Sequence, residues 1–224
     1  GEQSFARLIN DLYAGLLSDG GASGAAAGQT ATQGSMTFQV QLEFEFSMEV
    51  TVQGAEVKQS DPIMLDLDGD GFELTSHTQG ARFDITGEGR PVTTAFVHGG
   101  DAFLAWDRNG NGWIDSGKEL FGDQHGAANG YLELAKLDDN GDGVIDKQDA
   151  IFAQLRLFRD NGNGVTEPGE LVTLADAGIV SLSLAYREVS QQAAGGNRIA
   201  QVATYQRADG SIGRTADAIL NYTA

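Results

Sequence analysis

Hydrophobic and polar residues follow three patterns near the amino terminus. Apolar side chains first recur at helical spacing, which predicts an amphipathic helix over residues 1–17. A stretch rich in Gly, Ala, Ser and Thr then predicts a flexible linker over residues 18–35. From Met36 to Val52 apolar and polar residues alternate strictly, which predicts one long amphipathic strand within residues 36–60, or a hairpin without an obvious turn residue.

Beyond Pro62 the pattern is mixed and predicts an α+β module over residues 61–224. Short apolar runs predict small mixed β-sheets, and stretches of helical periodicity beside Asp/Gly-rich loops predict EF-hand-like helix-loop-helix motifs. A turn over residues 208–211 predicts a carboxy-terminal β-hairpin. The predicted helices lie near residues 130–137, 147–155 and 170–177, and the predicted strands near residues 63–67, 80–85, 92–97, 102–106, 182–189, 198–206 and 212–221.

Four Asp/Gly-rich loops punctuate this module. Ca²⁺ prefers several oxygen ligands, which alternating Asp and Asn side chains supply, while glycine lets the backbone turn tightly around the ion. The loop that begins at Asp138 follows the EF-hand spacing throughout, with Asp instead of Glu at its last position. Its predicted ligands are Asp138, Asn140, Asp142, the carbonyl of Val144, Asp146 and Asp149.

Two further loops keep this pattern in a shifted register. Lys118 stands where the last acid of one loop belongs, so either Gly117 bulges the loop and Glu119 takes that place, or the site lacks its bidentate ligand. We favour the bulge. The other loop is one residue short. The predicted ligands are Asp107, Asn109, Asn111, the carbonyl of Trp113, Asp115 and Glu119 in the first loop, and Asp160, Asn161, Asn163, the carbonyl of Val165, Glu167 and Glu170 in the second.

The fourth loop has three acids, Asp66, Asp68 and Asp70, but a histidine at its twelfth position. Its remaining oxygens must come from elsewhere, and the candidates are Glu73 and Asp84. Runs of Asn, Asp and Gly also form turns without any ion. However, the other three loops align without gaps as an internal repeat, which favours metal sites over independent turns.

Acidic residues outnumber basic ones, with 32 Asp and Glu against 14 Lys and Arg, and the net charge is -18. This charge repels phosphate backbones and anionic lipids, so we expect neither a nucleic-acid partner nor membrane insertion. Crowded carboxylates also repel one another, so we expect folding to be coupled to the binding of several Ca²⁺ ions. Irregular ligand sets suit the millimolar calcium found outside cells, where we expect the protein to be secreted or held at the cell surface.

The Asp61–Pro62 bond lies immediately before the first loop. The side-chain oxygen of Asp61 can close a five-membered ring on its own carbonyl carbon, expelling the proline nitrogen and leaving a cyclic anhydride. Water or a lysine amine would then open the anhydride. A proton donor for the nitrogen is also needed, and the candidates are His77, His98, Asp84 and Asp101. Without the loops, the same dipeptide would indicate only a turn.

These features together resemble the calcium-dependent self-processing module of RTX proteins, typified by FrpC. The resemblance covers about residues 61–221 and rests on the Asp-Pro bond, the order of the loops, the Glu119-Leu-Phe-Gly-Asp run and the final hairpin. It implies autocatalytic, single-turnover cleavage of Asp61–Pro62 triggered by calcium, ligation of Asp61 to a lysine ε-amine of another protein or another copy, and type I secretion.

The sequence departs from this family at Phe83-Asp84-Ile-Thr-Gly-Glu88-Gly, where relatives often carry another metal loop, and it lacks the Gly-Gly-x-Gly-x-Asp nonapeptides of RTX arrays. Two other functions stay open. One is a calcium-rigidified structural module of a secreted adhesin or toxin, in which Asp61–Pro62 is inert. The other is a calcium sensor, which the presence of only three methionines disfavours.

Overall fold

The computed structural model describes residues 56–223 in full and, before them, the backbone of three strands. Those strands are β1 (Thr30–Thr32), β2 (Ser35–Leu42) and β3 (Phe46–Gln53), and they pair antiparallel in the order β1-β2-β3. The alternating segment therefore forms a hairpin, the second of the two arrangements that its pattern allowed. The helix predicted over residues 1–17 and most of the linker predicted over residues 18–35 lie outside the described residues.

Residues 56–224 form a separate compact unit built on a twelve-stranded sheet whose strand pairs are all antiparallel. The strands are β4 (Val57–Ser60), β5 (Ile63–Asp66), β6 (Ala81–Phe83), β7 (Val92–Thr94), β8 (Ala102–Trp106), β9 (Val144–Asp146), β10 (Leu155–Phe158), β11 (Leu171–Thr173), β12 (Ile179–Ser183), β13 (Arg187–Gln192), β14 (Arg198–Arg207) and β15 (Ile212–Thr223). The main order is β11-β10-β8-β5-β15-β14-β12-β9.

The predicted α+β fold with EF-hand-like helix-loop-helix motifs is wrong. In residues 56–223, the only α-helix is α1 (Gly130–Leu134), which a 3₁₀ turn extends over Ala135–Leu137. The segment predicted as a helix over 147–155 consists of turns that lead into β10, and the segment over 170–177 contains β11. Segments this short gain few helical hydrogen bonds for the entropy of nucleating a helix, so sheet pairing decides their conformation.

Apolar side chains cover both faces of the sheet. Met64 and Phe103 point into a core rich in phenylalanine, whereas Ile63, Leu65 and Leu104 point into a second core beneath α1. Burial on both faces explains why β5 and β8 are continuous apolar runs instead of alternating ones. Leu132 of α1 faces away from both cores and is 43% exposed.

The long strand β15 organises the unit, because it pairs with β14 and then β7 along one edge and with β5 and β4 along the other. Ser60 of β4 lies opposite Leu220, and Ile63 of β5 lies opposite Asp217. The register is the same in both pairings. Asp61 and Pro62 therefore continue one strand path along β15, where they interrupt the regular pairing without displacing it.

Candidate functional site

The Asp61–Pro62 bond is buried within the sheet and held on both sides. The Ala218 N–H donates to the Pro62 carbonyl at 3.1 Å, and the Ile63 N–H donates to the Phe121 carbonyl at 2.9 Å. The Asp61 side chain is also buried, and its Oδ1 accepts a hydrogen bond from the Asp123 N–H at 2.8 Å. The bond and the carboxyl group beside it are thus fixed by the backbone around them.

Gly122 packs directly against the Asp61 carbonyl group. A Cβ atom at position 122 would stand 2.8 Å from the Asp61 carbonyl oxygen and 3.2 Å from its carbonyl carbon, so no larger residue fits there without displacing the bond. The Gly122 N–H donates to Oε2 of Glu133 at 2.8 Å. Glu133 lies on α1, so this helix holds the segment that touches the Asp61 carbonyl.

Burial, the largest cause, and the nearby carboxyl group of Asp217 together raise the pKa of Asp61 to about 8. The hydrogen bond from the Asp123 N–H acts in the opposite direction. Asp217 is fully buried, and burial raises its own pKa to about 7. Asp217 was missed from the sequence, although a single acid between Ala216 and Ala218, followed by Ile219 and Leu220, was a usable signal.

An ion pair connects this site to the loop that begins at Asp107. Arg108, the second residue of that loop, donates from Nη2 to Oε1 of buried Glu133, while Oε2 of the same carboxylate accepts from Gly122. The guanidinium lies over the rings of Trp106, at 4.5 Å, and Phe121, at 5.3 Å. The sequence did not point to this pair, because its two members are 25 residues apart and neither is a predicted metal ligand.

The acids of the first loop converge as a group. Oxygens of Asp66, Asp68 and Asp101 lie within 4.8 Å of one another, and so do oxygens of Asp68, Asp70 and Glu73. Glu73 was one of the two residues expected to complete this loop. The other, Asp84, instead accepts the N–H groups of Glu88 and Gly89 within its own turn.

Asp101 is the member of this cluster that its spacing did not predict as a ligand. It is buried, its Oδ2 accepts the Glu73 N–H at 2.7 Å, and its Oδ1 has no partner among the described residues. Burial raises its pKa to about 7, with nearby carboxylates as a further cause. An unpaired carboxylate oxygen among other carboxylates is the donor set that a hard cation requires. The cluster therefore fits a metal ion.

The other three loops share one hydrogen-bonding scheme. The first Asp accepts N–H groups from within its loop, as Asp138 does from Gly141 at 2.8 Å and from Gly143 at 2.9 Å. The last acid is buried and reaches back to the backbone. Glu119 accepts from Asp115 at 3.0 Å, Asp149 from Asp146 at 2.8 Å, and Glu170 from Glu167 at 2.8 Å.

Glu119 thus occupies the position of the closing acid although it comes one residue late in the sequence. Its Oε1 is buried and has no partner within the described part of the chain. Lys118, at the nominal position, is exposed. Glu119 therefore contacts its loop backbone as Asp149 and Glu170 contact theirs, and the oxygen donors of this loop also fit a hard cation. Its role as a metal ligand stays a prediction.

The Asp107 and Asp160 loops are joined side by side. The Thr166 hydroxyl accepts the Ile114 N–H at 2.9 Å and donates to the Ile114 carbonyl at 3.0 Å. The residues that would supply carbonyl ligands, Trp113 and Val165, precede this contact and are exposed. Because one side chain ties the loops together, an ion that orders either loop also restrains the other.

The donors first suggested for the proline nitrogen lie elsewhere. Asp101 belongs to the acidic cluster of the first loop, and His98 stands beside it, with Nδ1 3.9 Å from Oε1 of Glu73. Asp84 is occupied within its own turn.

Comparison with known proteins assigns the segment that contains the acidic loops to a domain family. The SPM domain model matches residues 63–221, and the chain belongs to this family. The iron-regulated protein FrpA of Neisseria meningitidis serogroup C is 43% identical over 169 residues, which make up 71% of this chain and 15% of FrpA. The chain thus spans only a small part of the length of that relative. The two matches support an FrpC-like, RTX-related module. No helix in the described residues is long and apolar enough to cross a membrane.

Proposed function

We propose that Ca²⁺ triggers cleavage of the Asp61–Pro62 bond, with the Asp61 carboxyl group as the nucleophile. This proposal rests on the contacts of Asp123 and Gly122 with Asp61, which we call the clamp. The Asp123 N–H donates a hydrogen bond to Oδ1 of Asp61, and Gly122 packs closely against the carbonyl group of Asp61. Fixing a nucleophile beside its electrophile removes much of the entropic barrier to ring closure.

The reaction proceeds within one residue. A carboxylate oxygen of Asp61 attacks the Asp61 carbonyl carbon, the C–N bond to Pro62 breaks, and the nitrogen leaves with a proton. The product is a cyclic anhydride at Asp61 and a new amino-terminal Pro62. Water opens the anhydride to give hydrolysis, whereas a lysine ε-amine opens it to give an isopeptide bond. We expect an intermolecular lysine, from another protein or another copy, because a lysine held nearby would compete with release.

The chain's own contacts suggest how the loops act on this bond. Residues of the Asp66, Asp107, Asp138 and Asp160 loops would hold the ions, and bound Ca²⁺ would neutralise their carboxylates and order their backbones. Arg108 belongs to the Asp107 loop and is paired to Glu133, which in turn accepts the Gly122 N–H. Ordering of the Asp107 loop would therefore hold Glu133 in place. Glu133 would in turn hold the Gly122 backbone against the Asp61 carbonyl group.

Cleavage by an FrpC-like module of a secreted RTX protein is consistent with membership of the SPM domain family and the similarity to FrpA. Secretion by the type I route and action outside the cell are part of this proposal. Calcium is abundant there, so the loops would fill only after export, and the Asp61–Pro62 bond would stay intact inside the cell.

The proposal is tested on the wild-type chain purified in chelator. Addition of millimolar Ca²⁺ should produce two fragments, one with an amino-terminal Pro62, together with slower-migrating cross-linked species on a denaturing gel. Mg²⁺ at the same concentration is the matched control, since it resists the dehydration that such loops require. An intact chain after a day, despite calcium-induced folding seen by circular dichroism, would favour the inert structural module.

A further inference from the structure

Asp217 is the most thoroughly enclosed carboxyl group near the scissile bond. Its exposed fraction is 0%. Its Oδ2 accepts the Gly130 N–H at 2.6 Å, whereas its Oδ1 has no hydrogen-bond partner in the described residues. A buried, unpaired carboxylate oxygen is costly, so a chain that keeps one at this position needs a physical reason for it.

The strand register brings Asp217 to the same face of the sheet as Asp61. Asp217 lies opposite Ile63, and the unbroken register along β15 puts Ala218 opposite Pro62. Side chains alternate between faces along a strand, so Asp61 and Asp217 both share the face of Ile63. They are diagonal neighbours across adjacent strands, and the charge of Asp217 acts on Asp61 across this separation.

Helix α1 closes this face from above. Gly130 at its start packs so tightly that a Cβ atom there would stand 2.5 Å from the Phe121 carbonyl oxygen and 2.6 Å from Cγ1 of Ile63. The Tyr131 hydroxyl bonds to Thr215 at 2.7 Å on the same face. The carboxyl groups of Asp61 and Asp217 are therefore shielded from bulk water. Two negative charges there would repel each other strongly, and this repulsion is removed when one of the groups keeps its proton.

Other ionisable groups act on this pair from neighbouring elements. The charges of Asp123 and Glu188 raise the pKa of Asp217, whereas Arg198 and the Gly130 N–H lower it. Burial is the largest cause of the raised pKa in Asp217 and in Asp61. Near neutral pH the pair therefore keeps a proton, which favours Asp61 because its pKa is the higher of the two. The reactive form is the one in which Asp217 holds this proton and Asp61 is ionised.

We infer that Asp217 is the proton donor to the Pro62 nitrogen when the Asp61–Pro62 bond breaks. This inference rests on the proposed function. The Asp61 carboxylate attacks its own carbonyl carbon, the C–N bond breaks, and the proton of Asp217 passes to the nitrogen. Asp217 is left as a carboxylate. Opening of the anhydride by water produces two carboxyl groups at Asp61, and one of their protons returns to Asp217.

The test compares Asp217→Asn with the wild-type chain in saturating Ca²⁺ across a range of pH. Asparagine keeps the size of the side chain and can still accept from Gly130, but it carries no acidic proton. We expect cleavage to slow by about 10²–10⁴-fold, the usual contribution of general acid catalysis. The cleavage rate of the wild type should fall at high pH as Asp217 loses its proton. The cleavage rate of Asp217→Asn should show no such fall. Asp176→Asn, which removes an exposed surface carboxylate, is the matched control and should cleave at the wild-type rate.

A variant that cleaves within a few-fold of the wild type, with the same pH profile, overturns the inference while the proposed function stands. A wild-type chain that never cleaves overturns both. A second measurement covers the case in which Asp217→Asn does not fold. In the Asp61→Ala chain, the ¹³C signal of the Asp217 carboxyl group should titrate well above the ordinary range of aspartate. Titration within the ordinary range would contradict a retained proton.

Discussion

The Asp138 loop and the Asp61–Asp217 pair confine carboxyl groups in opposite ways. Asp138 satisfies its oxygens with N–H groups of its own loop, and most of its neighbours in that loop are exposed. Asp61 and Asp217 are buried among apolar residues, where burial raises the pKa of both. The loop is suited to relieve its negative charge with a metal ion, and the buried pair with a proton. One module would thus use two chemistries for the same kind of side chain.

The largest expected effect comes from removing the nucleophile. Asp61→Ala should abolish cleavage entirely while leaving calcium-induced folding unchanged, because Asp61 is not among the predicted metal ligands. Intact-mass measurements over a day, beside circular dichroism with and without Ca²⁺, check both parts. Cleavage by Asp61→Ala at the original bond would show that another group attacks it.

Filling the space at Gly122 should have the next largest effect. In Gly122→Ala, the new methyl group would stand 2.8 Å from the Asp61 carbonyl oxygen, so the bond must shift away from Asp123. We expect cleavage to slow by about 100-fold, as misplacement by an ångström can do. Gly126→Ala is the control, because its Cβ meets nothing within 4 Å, although it carries the strain of a φ of 75°. Equal rates for the two variants would contradict the clamp.

The ion pair between loop and helix gives a smaller but informative effect. Glu133→Gln leaves the Arg108 guanidinium without its charge partner and should destabilise the fold by about 3 kcal/mol, since one member of a largely buried pair is lost. Urea unfolding in saturating Ca²⁺ measures this change. The cleavage rate should also fall, at calcium concentrations that fill the Asp107 loop. A folded variant that cleaves at the wild-type rate would contradict the coupling of the Asp107 loop to Gly122 through Arg108 and Glu133.

Much of the strand content followed from apolar runs, and β8 has the bounds that its pattern predicted. The loops were visible because ligand chemistry fixes both residue type and spacing. The helices beside them were wrong, because Asp149 and Glu170 use their carboxylates to close loops, and the chain then passes directly into turns or sheet. The places of Asp101 in the acidic cluster and of Glu133 and Asp217 beside the Asp61–Pro62 bond were not predicted. Tertiary packing, and not local spacing, gives each of these residues its neighbours.

The register of the Asp107 loop can be tested with two neighbouring substitutions. Glu119→Gln should weaken metal binding to this loop about tenfold, because its carboxylate closes the loop, whereas Lys118→Gln should leave affinity nearly unchanged. The quenching of Trp113 fluorescence during a Ca²⁺ titration reports on this loop, since Trp113 lies within it. A larger loss of affinity in Lys118→Gln would contradict the bulged register.

The smallest expected effect is a dependence of stability on pH. The raised pKa of Asp217 means that the folded chain binds more protons than the unfolded chain between the two pKa values, so stability should fall as pH rises from about 4 to about 7. This is measured by urea unfolding of Asp61→Ala in saturating Ca²⁺. Adding Asp217→Asn should flatten the slope of the unfolding free energy against pH. An unchanged slope would mean that other groups cause the pH dependence.

Trapping the anhydride tests the central claim most directly. The wild-type chain is given Ca²⁺ in the presence of hydroxylamine, and the amino-terminal fragment is analysed by tandem mass spectrometry. The account predicts a hydroxamate on one of the two carboxyl groups of Asp61, formed in competition with hydrolysis. A fragment that ends at Asp61 with only unmodified carboxyl groups, at every hydroxylamine concentration, would show that water attacks the bond directly and would contradict the account.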